Sequence, residues 1–436
     1  MAFRNFGKRH NNLKMVKILR ILNRFNLGGP TYNAGFLTKY LGDEFETILV
    51  GGKNGDYEES SSFVLDELGV RYTIIPELQR EINPYKDYIA YKKIKEIIKR
   101  EKPDILHTHA AKAGILGRLA AAKEKVPVVV HTFHGHVFHS YFGKFKTTLF
   151  INLERYFAKN THRIIAISPL QKKEISHYLK LPEHKISILP IGVDIDKFTV
   201  DKDKKRYSFR KKYNIPGNAV VIGIVGRLVP IKNHEMFIKS FAMLKRYLPE
   251  NKKVKAFIVG DGELKEKLIN ICKNTGLSVW QKGEKLKDAD VYFTSWIKDM
   301  TYVYNGVDIV ALTSLNEGTP ITLIEAQASE KPVVATNVGG VADTMEDQIT
   351  GILSDTKDVY GFYYNMLNLV LDEVLRKKMG AAGYGFVKDK YDYMILVRNM
   401  RNLYVKLLNE AKLAHKIAAD ELIEKEKFSL VNDITF

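Results

Sequence analysis

The 436-residue chain contains a single cysteine, Cys272. One thiol cannot form an internal disulfide, so disulfide-stapled secreted scaffolds are excluded and a reducing, cytoplasmic compartment is expected. No apolar run approaches the ~18 residues that cross a bilayer. The first fourteen residues, MAFRNFGKRHNNLK, have no signal-peptide core and no acidic side chain. We interpret residues 1–14 as a disordered basic extension.

Acidic residues are scarce relative to basic ones. The chain has 68 Lys and Arg against 50 Asp and Glu, a formal net charge of +18, and residues 1–200 hold 32 of the cations but only 20 of the acids. A chain this basic tends to bind phosphates, anionic lipid or nucleic acid. Because no recognisable RNA- or DNA-binding module is present, we expect phosphate and lipid partners and no nucleic acid.

Short β-branched runs alternate with amphipathic stretches along most of the chain. The first series of runs comprises MVKILRIL, ETILVGG, RYTIIP, DILHTH, VPVVVHTF and HRIIAIS, and the second AVVIGIVG, VKAFIVG, VYFTSW, VDIVAL and KPVVAT. Short buried strands between helices are typical of parallel, doubly wound sheets. The pattern therefore predicts an α/β protein with two Rossmann-like domains that face one another across a cleft.

The predicted boundaries place the first domain at 15–198 and the second at 199–390. Between them, ILPIGVDIDKF and the charged DKDKKRYSFRKKYN are typical of an exposed linker, and we expect hinges near 195–200 and 385–395. The sequence of residues 391–436 predicts a charged amphipathic helix or pair of helices, which we expect to pack back on the first domain. Ligands should bind beyond the carboxyl ends of the strands.

Two segments of the second domain carry candidate binding chemistry. Arg227 and Lys232 lie five residues apart at a strand-to-helix turn, where two cations and helix amides can hold a diphosphate. Glu317 and Glu325 bracket a predicted helix start, and a carboxylate accepts hydrogen bonds from vicinal sugar hydroxyls. Taken singly, the first segment is better explained as a solvated basic loop, and the second is explained equally as a helix N-terminal acid and a surface glutamate.

These two segments together, GRLVPIKN and EGTPITLIE, carry a family resemblance. The chain resembles the retaining glycosyltransferases of family 4, which have the two-domain GT-B fold. The resemblance runs from KILRILNRFNLGGPT through VGDGELKEKL to NVGGVADTMEDQITGIL, nearly the whole chain. It implies transfer of a hexose or N-acetylhexosamine from a nucleoside diphosphate sugar, with UDP favoured and GDP next, to a hydroxyl acceptor on a lipid-linked or cell-envelope glycan.

The resemblance also implies residue roles in the second domain. Arg227 and Lys232 would bind the donor diphosphate, Glu317 the donor sugar and Glu325 the ribose. Sugar and phosphate would be lined by the amides around Gly318, Thr319, Thr322 and Leu323, and the base would be read near Thr294 to Trp296. Members more commonly have EGFGL where this chain has EGTPI, and Pro320 removes one amide donor. No metal is expected, because the two cations take its role.

The first domain contributes a glycine loop and a histidine cluster. In the family, the loop that matches Gly28 and Gly29 of this chain lies on the sugar and acceptor side of the cleft. An H-G pair in the family places a histidine near the reaction centre, and His134 and Gly135 match that pair. Four histidines within HTFHGHVFH also suggest a metal site, but their spacing matches no zinc pattern. We expect His134 to position sugar or acceptor rather than act as a strong base.

Other hypotheses stay open at this point. An epimerase of the same fold would release free sugar without an acceptor, and an inactive nucleotide-sugar-binding partner subunit would transfer nothing. Aromatic and lysine side chains also interleave on the basic domain, which suggests docking at the cytosolic face of an anionic membrane, although an ordinary helix with core aromatics explains them equally. The side chains of this patch are Tyr141, Phe142, Lys144, Phe145 and Lys146.

Overall fold

The computed structural model describes five stretches of the chain, hereafter the described residues: 15–25, 29–53, 61–79, 81–135 and 144–412, without the side chains of 144–147 and 149. The predicted basic extension 1–14 lies outside them. Within them no helix is both long and apolar enough to cross a bilayer.

The first domain is a parallel sheet between helices. Its described strands are Val16–Leu22 (β1), Phe45–Gly52 (β2), Tyr72–Ile75 (β3), Ile105–His109 (β4), Val128–Thr132 (β5), Arg163–Ala166 (β6) and Ile186–Ile188 (β7), in the order β3-β2-β1-β4-β5-β6-β7. Its helices are Gly29–Lys39 (α1), Ser62–Glu67 (α2), Pro84–Glu101 (α3), Ala111–Glu124 (α4), Lys144–Lys159 (α5) and Pro169–Leu179 (α6). The strand order reverses between β1 and β4, where a doubly wound sheet binds ligands.

The second domain repeats this plan after helix Lys202–Lys212 (α7). Its described strands are Ala219–Val225 (β8), Lys253–Val259 (β9), Val279–Gln281 (β10), Val291–Phe293 (β11), Ile309–Leu312 (β12), Val333–Thr336 (β13) and Gly351–Ser354 (β14), in the order β10-β11-β9-β8-β12-β13-β14. Its helices are His234–Tyr247 (α8), Lys265–Asn274 (α9), Met300–Gly306 (α10), Ile321–Ala328 (α11), Val359–Leu371 (α12) and Glu373–Tyr391 (α13). The doubly wound α/β architecture with two facing domains is confirmed.

Both sheets are buried on two faces, because alternate side chains of a strand point to opposite sides. In β1, Val16 and Ile18 join one apolar cluster, while Leu19 and Ile21 join the cluster beneath α3 and α4. This two-sided burial explains why the strands read as continuous apolar runs rather than as alternating patterns.

The segment DKDKKRYSFRKKYN is a packed helix, and the prediction of an exposed linker is wrong. Phe209 of α7 is fully buried, with its ring centroid 5.0 Å from that of Phe257 in β9. Arg210 donates to the carbonyl of Ala219 at 2.6 Å, and Arg206 pairs with Asp308 at 2.6 Å. Composition alone does not reveal this narrow buried face, because most residues of α7 are lysine or arginine.

The chain crosses between the domains twice, at neighbouring positions. The amide of Val193 donates to the carbonyl of Tyr391 at 2.8 Å, and the amide of Tyr393 donates back to Val193 at 3.0 Å. The last described helix, Tyr393–Glu410 (α14), then packs on the first domain. Its buried residues Met400 and Leu407 lie in the same cluster as the first strand.

Candidate functional site

A cleft of about 720 Å³ lies between the two domains at the carboxyl ends of both sheets. The first domain and its exit segment line it with Gly29, Tyr32 and Lys197. The second domain lines it with both predicted cations, Arg227 and Lys232, and with Thr322 and Glu325. The structure therefore brings together predicted site residues that are up to about 300 positions apart in the chain.

The loop that carries the two cations is held by its neighbours. The amide of Leu228 donates to the carbonyl of Asp261 at 2.9 Å, next to Gly260, whose φ is +147°. A Cβ at Gly260 would lie 2.0 Å from the carbonyl oxygen of Gly226, so only glycine permits this approach. From the other side, Thr313 at the end of β12 donates its hydroxyl to the carbonyl of Lys232 at 3.2 Å.

The predicted cation Lys232 and the predicted carboxylate Glu317 form an ion pair. The Nζ of Lys232 lies 2.5 Å from the Oε1 of Glu317, and the hydroxyl of Ser314 donates to the same oxygen at 2.6 Å. Both side chains are largely buried, so water screens the pair weakly. Arg227 is exposed at the cleft wall.

The segment between the two glutamates forms a turn that opens α11. Pro320 occupies the position before the first residue of α11, where its missing N–H leaves no helical hydrogen bond unmade. Ile321 and Thr322 line the cleft, and the hydroxyl oxygen of Thr319 is buried without a hydrogen-bond partner among the described residues. Leu323 departs from the predicted lining set, because its amide donates to the carbonyl of Pro320 and its side chain lies in the core.

A glycine pair supports this turn from behind, and the sequence analysis did not include it in the site. The amide of Gly340 donates to the carbonyl of Glu317 at 3.1 Å. A Cβ at Gly340 would lie 1.9 Å from the carbonyl oxygen of Gly318, and Gly339 has a φ of +51°. The doublet in NVGGVAD was the available signal, since adjacent glycines after a strand mark a close backbone approach.

Glu325, in α11 on the second domain's side of the cleft, has two neighbours that bias its charge. Burial raises the pKa of Glu325, whereas the nearby Lys197 ammonium and the Tyr304 phenol lower it. Burial and the charge of Glu325 together raise the pKa of Tyr32 to about 12, so this phenol stays protonated. Lys197 sits 5.3 Å above the Tyr32 ring. Sequence reasoning missed Lys197, because a lone lysine in a connecting segment carries no motif.

In wild type, the affinity for UDP should fall at low pH as Glu325 becomes protonated. Replacing Lys197 by methionine should shift this fall, the acid limb of the pH profile, to higher pH. A carboxylate that accepts ribose hydroxyls must be ionised, and loss of the neighbouring cation raises the pKa of Glu325 further. Titration calorimetry with UDP across pH 5 to 8 measures this limb. The Glu325→Gln variant, which cannot ionise there, provides the control and should lack the limb. An identical pH profile for wild type and Lys197→Met would contradict the assignment.

The first domain approaches the turn before α11 through two small residues. A Cβ at Gly29 would lie 2.8 Å from the Cδ1 of Ile321. A Cβ at Gly318 would lie 3.7 Å from the Cα of Gly135, which follows His134. The predicted His134 is therefore placed opposite the Glu317–Gly318 turn. Gly28 lies outside the described residues.

His134 is grouped with different histidines from those that its own segment suggests. Its Nε2 lies 2.8 Å from the Nδ1 of His109, at the end of β4. His131 is fully buried instead, with its Nδ1 2.9 Å from the hydroxyl of Thr108. His136 and His139 lie outside the described residues. Burial lowers the pKa of His134 to about 4, so this ring is neutral at physiological pH.

The remaining predicted positions are a base-reading segment and a membrane patch. Trp296 lines the cleft, whereas Thr294 at the end of β11 is buried and donates its hydroxyl to the carbonyl of Ser295 at 3.0 Å. The aromatic and lysine side chains of residues 141–146 lie outside the described residues, so the membrane patch stays a prediction.

Two family models match the chain in adjoining ranges. Residues 37–197 match the model described as Glycosyltransferase Family 4, and residues 205–386 match the model described as Glycosyl transferases group 1. The boundary between the two matched ranges falls at the first domain crossing.

Named relatives cover most of the chain. A protein of Escherichia coli named UDP-Gal:alpha-D-GlcNAc-diphosphoundecaprenol alpha-1,3-galactosyltransferase is 31% identical over 381 residues, 86% of this chain and 88% of the relative. The Staphylococcus aureus capsular polysaccharide biosynthesis glycosyltransferase CapM is 28% identical over 343 residues, 78% of this chain and 86% of the relative.

Solved structures share the fold at lower identity. A glycosyltransferase from Rickettsia africae superimposes with a TM-score of 0.73 at 22% identity, over 91% of this chain and 99% of that one. Anabaena HepE in complex with UDP superimposes with a TM-score of 0.72 at 18% identity, over 90% and 100%.

Proposed function

The chain belongs to family 4 of the glycosyltransferases with the GT-B fold, and we propose that it transfers a hexose or N-acetylhexosamine from a UDP-sugar to a hydroxyl acceptor with retention of configuration. One observation carries the proposal: the Lys232–Glu317 ion pair lies beside the first turn of α11, opposite His134. Such a site offers a cation and helix amides for a diphosphate and a carboxylate for sugar hydroxyls.

The proposed reaction breaks the bond between the anomeric carbon and the diphosphate oxygen and forms a bond from that carbon to the acceptor oxygen. The acceptor proton passes to the leaving diphosphate on the same face of the sugar. Negative charge develops on the diphosphate as its bond to the anomeric carbon breaks, and Arg227, Lys232 and the amides of Ile321 and Thr322 stabilise that charge. Lys232 leaves Glu317 for the phosphate, and Glu317 becomes available to the sugar hydroxyls.

We infer that this charge stabilisation operates without a divalent ion. The two cations on one loop support this inference, since they supply the positive charge that a divalent ion would otherwise bring to a diphosphate. Activity that is abolished by EDTA and restored by Mg²⁺ or Mn²⁺ would contradict it.

The acceptor that we propose is a lipid-linked or cell-envelope glycan intermediate at the cytosolic face of the membrane. The names of the Escherichia coli and Staphylococcus aureus relatives, a diphosphoundecaprenol galactosyltransferase and a capsular polysaccharide enzyme, support it. Two other activities fit the same fold, and a product assay separates them. An epimerase would yield free sugar and UDP without acceptor, and an inactive binding subunit would yield neither product.

A thermal-shift panel with UDP, GDP, ADP and their sugars tests the donor first. A ligand at 100 times its dissociation constant stabilises the native state by about 2.7 kcal/mol, which gives a measurable rise in Tm. We expect a selective shift with UDP that EDTA leaves unchanged. A selective shift with GDP instead would replace the proposed base.

Substitutions of Glu317 and Glu325 should affect different kinetic constants. Glu317→Ala removes a group beside the reacting sugar, so kcat should fall more than the UDP affinity, by about 100-fold or more. Glu325→Ala removes the proposed ribose acceptor, so the dissociation constant of UDP should rise by about 10-fold with a smaller effect on kcat. Glu330→Ala, at an exposed glutamate paired with Lys202, is the matched control and should match wild type. Wild-type behaviour of both site variants would remove the proposal.

A further inference from the structure

Three histidine rings form a line in the first domain, from its interior to His134, whose neighbour Gly135 faces Gly318 of the second domain. His107 and His109 of β4 are buried and stack with ring centroids 4.2 Å apart, and His109 stacks on His134 at 5.1 Å. The one hydrogen bond between the last two rings joins the Nδ1 of His109 to the Nε2 of His134 at 2.8 Å. None of the proposed steps uses His107 or His109.

The hydrogen bonds of His107, the innermost of the three rings, determine its tautomer. The Nδ1 of His107 lies 3.1 Å from the Nη1 of Arg20 and 2.5 Å from the hydroxyl of Tyr404. A guanidinium only donates, so this nitrogen must be the acceptor. The proton of His107 is therefore on Nε2, which donates to the hydroxyl of Thr132 at 2.7 Å.

The bond between His109 and His134 has two possible proton arrangements. If His134 donates, the proton of His109 sits on its Nε2, a buried nitrogen without a hydrogen-bond partner among the described residues. If His109 donates, its Nε2 keeps only a lone pair, and the proton of His134 moves to Nδ1. Each arrangement leaves one N–H without a partner among the described residues, because the Nδ1 of His134 is buried as well. The second arrangement is favoured, since it places that N–H on the half-buried His134 beside the second domain, where a ligand can accept from it, rather than on the buried His109.

Charge around the line favours neutral rings. The titratable and charged groups that act on His109 are Arg20 of β1, His107 of β4, His131 of β5 and His134 itself, and Tyr404 of α14 contacts His107. No carboxylate is among them within the described residues. Burial and this neighbouring positive charge lower the pKa of His109 well below its usual range.

We propose, resting on the proposed function, that His109 is a positioning residue that holds His134 neutral with its proton on Nδ1. In that form His134 is a hydrogen-bond donor to an oxygen of the sugar or the acceptor, and it cannot take a proton through Nε2. The unpartnered Nδ1 of His134 is then the donor that a bound hydroxyl or phosphate oxygen satisfies.

Nitrogen NMR of the histidine-labelled full chain tests the tautomer directly and without any substrate. We expect His134 to show a protonated Nδ1 and an unprotonated Nε2 that do not titrate between pH 5.5 and 8. A protonated Nε2 in His134 would overturn the proposal, and so would titration in that range.

Variants at position 109 test the consequence for transfer. His109→Phe removes the donor and should lower kcat about 10-fold, the loss expected for one hydrogen bond, with the UDP dissociation constant unchanged. His109→Asn places an amide N–H near the former Nδ1 and should restore most of kcat. His131→Asn, at an equally buried histidine without a hydrogen bond to His134, is the matched control.

Equal loss in His109→Asn and His109→Phe, or a full loss in His131→Asn, would reduce His109 to a merely structural residue and overturn the proposal. If the proposed transferase function itself is wrong, the experiments give a different result. In that case wild type transfers no sugar from any nucleotide donor, while the nitrogen spectra of His134 still report its tautomer.

Discussion

Replacing Lys232 by methionine is expected to lower kcat by about 100- to 1000-fold, the loss typical of removing one group that stabilises developing negative charge. Methionine keeps an unbranched apolar stem and removes only the ammonium. Of the two cations on this loop, only Arg227 then remains to stabilise the departing diphosphate. Glu317 also loses the cation that lies 2.5 Å from its Oε1. Initial rates with saturating donor and acceptor measure the effect.

Two comparisons make this result specific. Lys239→Met removes a lysine from the exposed face of the following helix, where it pairs with Glu235, and should leave kcat unchanged. In the double variant Lys232→Met with Glu317→Gln, the losses should be less than additive, because the two side chains contact one another. Wild-type kcat in Lys232→Met would refute the proposed role of this lysine.

The ion pair also shows where sequence reasoning stops. Arg227, Lys232, Glu317 and Glu325 could each be selected from the sequence, because they stand at strand-to-helix turns and match a family pattern. That Lys232 binds Glu317, 85 positions away, could not be read, since it depends on Thr313 and Ser314 holding two loops together. Contacts between loops follow from strand order, and strand order is not written in local patterns.

The same limit applies to the fold. Long apolar runs such as AVVIGIVG were recognisable as strands, because burial on both faces makes them uniformly apolar. The edge strands Ile186–Ile188, Val279–Gln281 and Gly351–Ser354 were not predicted, since their sequences ISI, VWQ and GILS form no continuous apolar run. The helix at Lys202–Lys212 was mistaken for a linker, because its charge outweighs one buried phenylalanine.

The histidines illustrate a second kind of error. Sequence proximity suggested a group within HTFHGHVFH, but the described structure pairs His134 with His109 from the preceding strand. Parallel neighbours β4 and β5 end at the same edge of the sheet, so DILHTH and VPVVVHTF bring their histidines together. Motifs that end adjacent strands are therefore better guides to a site than residues that are close along the chain.

Replacing Gly340 by alanine is expected to lower kcat, although Gly340 lies behind the Glu317–Gly318 turn and not in the cleft. The added Cβ would lie 1.9 Å from the carbonyl oxygen of Gly318, a backbone atom that cannot rotate away. Relief requires the Glu317–Gly318 turn to move toward the first domain, and a displacement of about 1 Å at reacting groups can cost about 100-fold in kcat. Overpacking of this kind also lowers the free energy of unfolding by about 1–3 kcal/mol.

The matched control is Gly385→Ala, in the interior of α13. A Cβ at Gly385 meets nothing within 4 Å, so alanine there should leave kcat unchanged and stabilise the helix by up to about 1 kcal/mol. Denaturant titrations and initial rates on both variants separate the two effects. If Gly340→Ala keeps both its stability and its kcat, the turn before α11 is not held by backbone contact. The position of Glu317 would then have to depend on Lys232 and Ser314 alone.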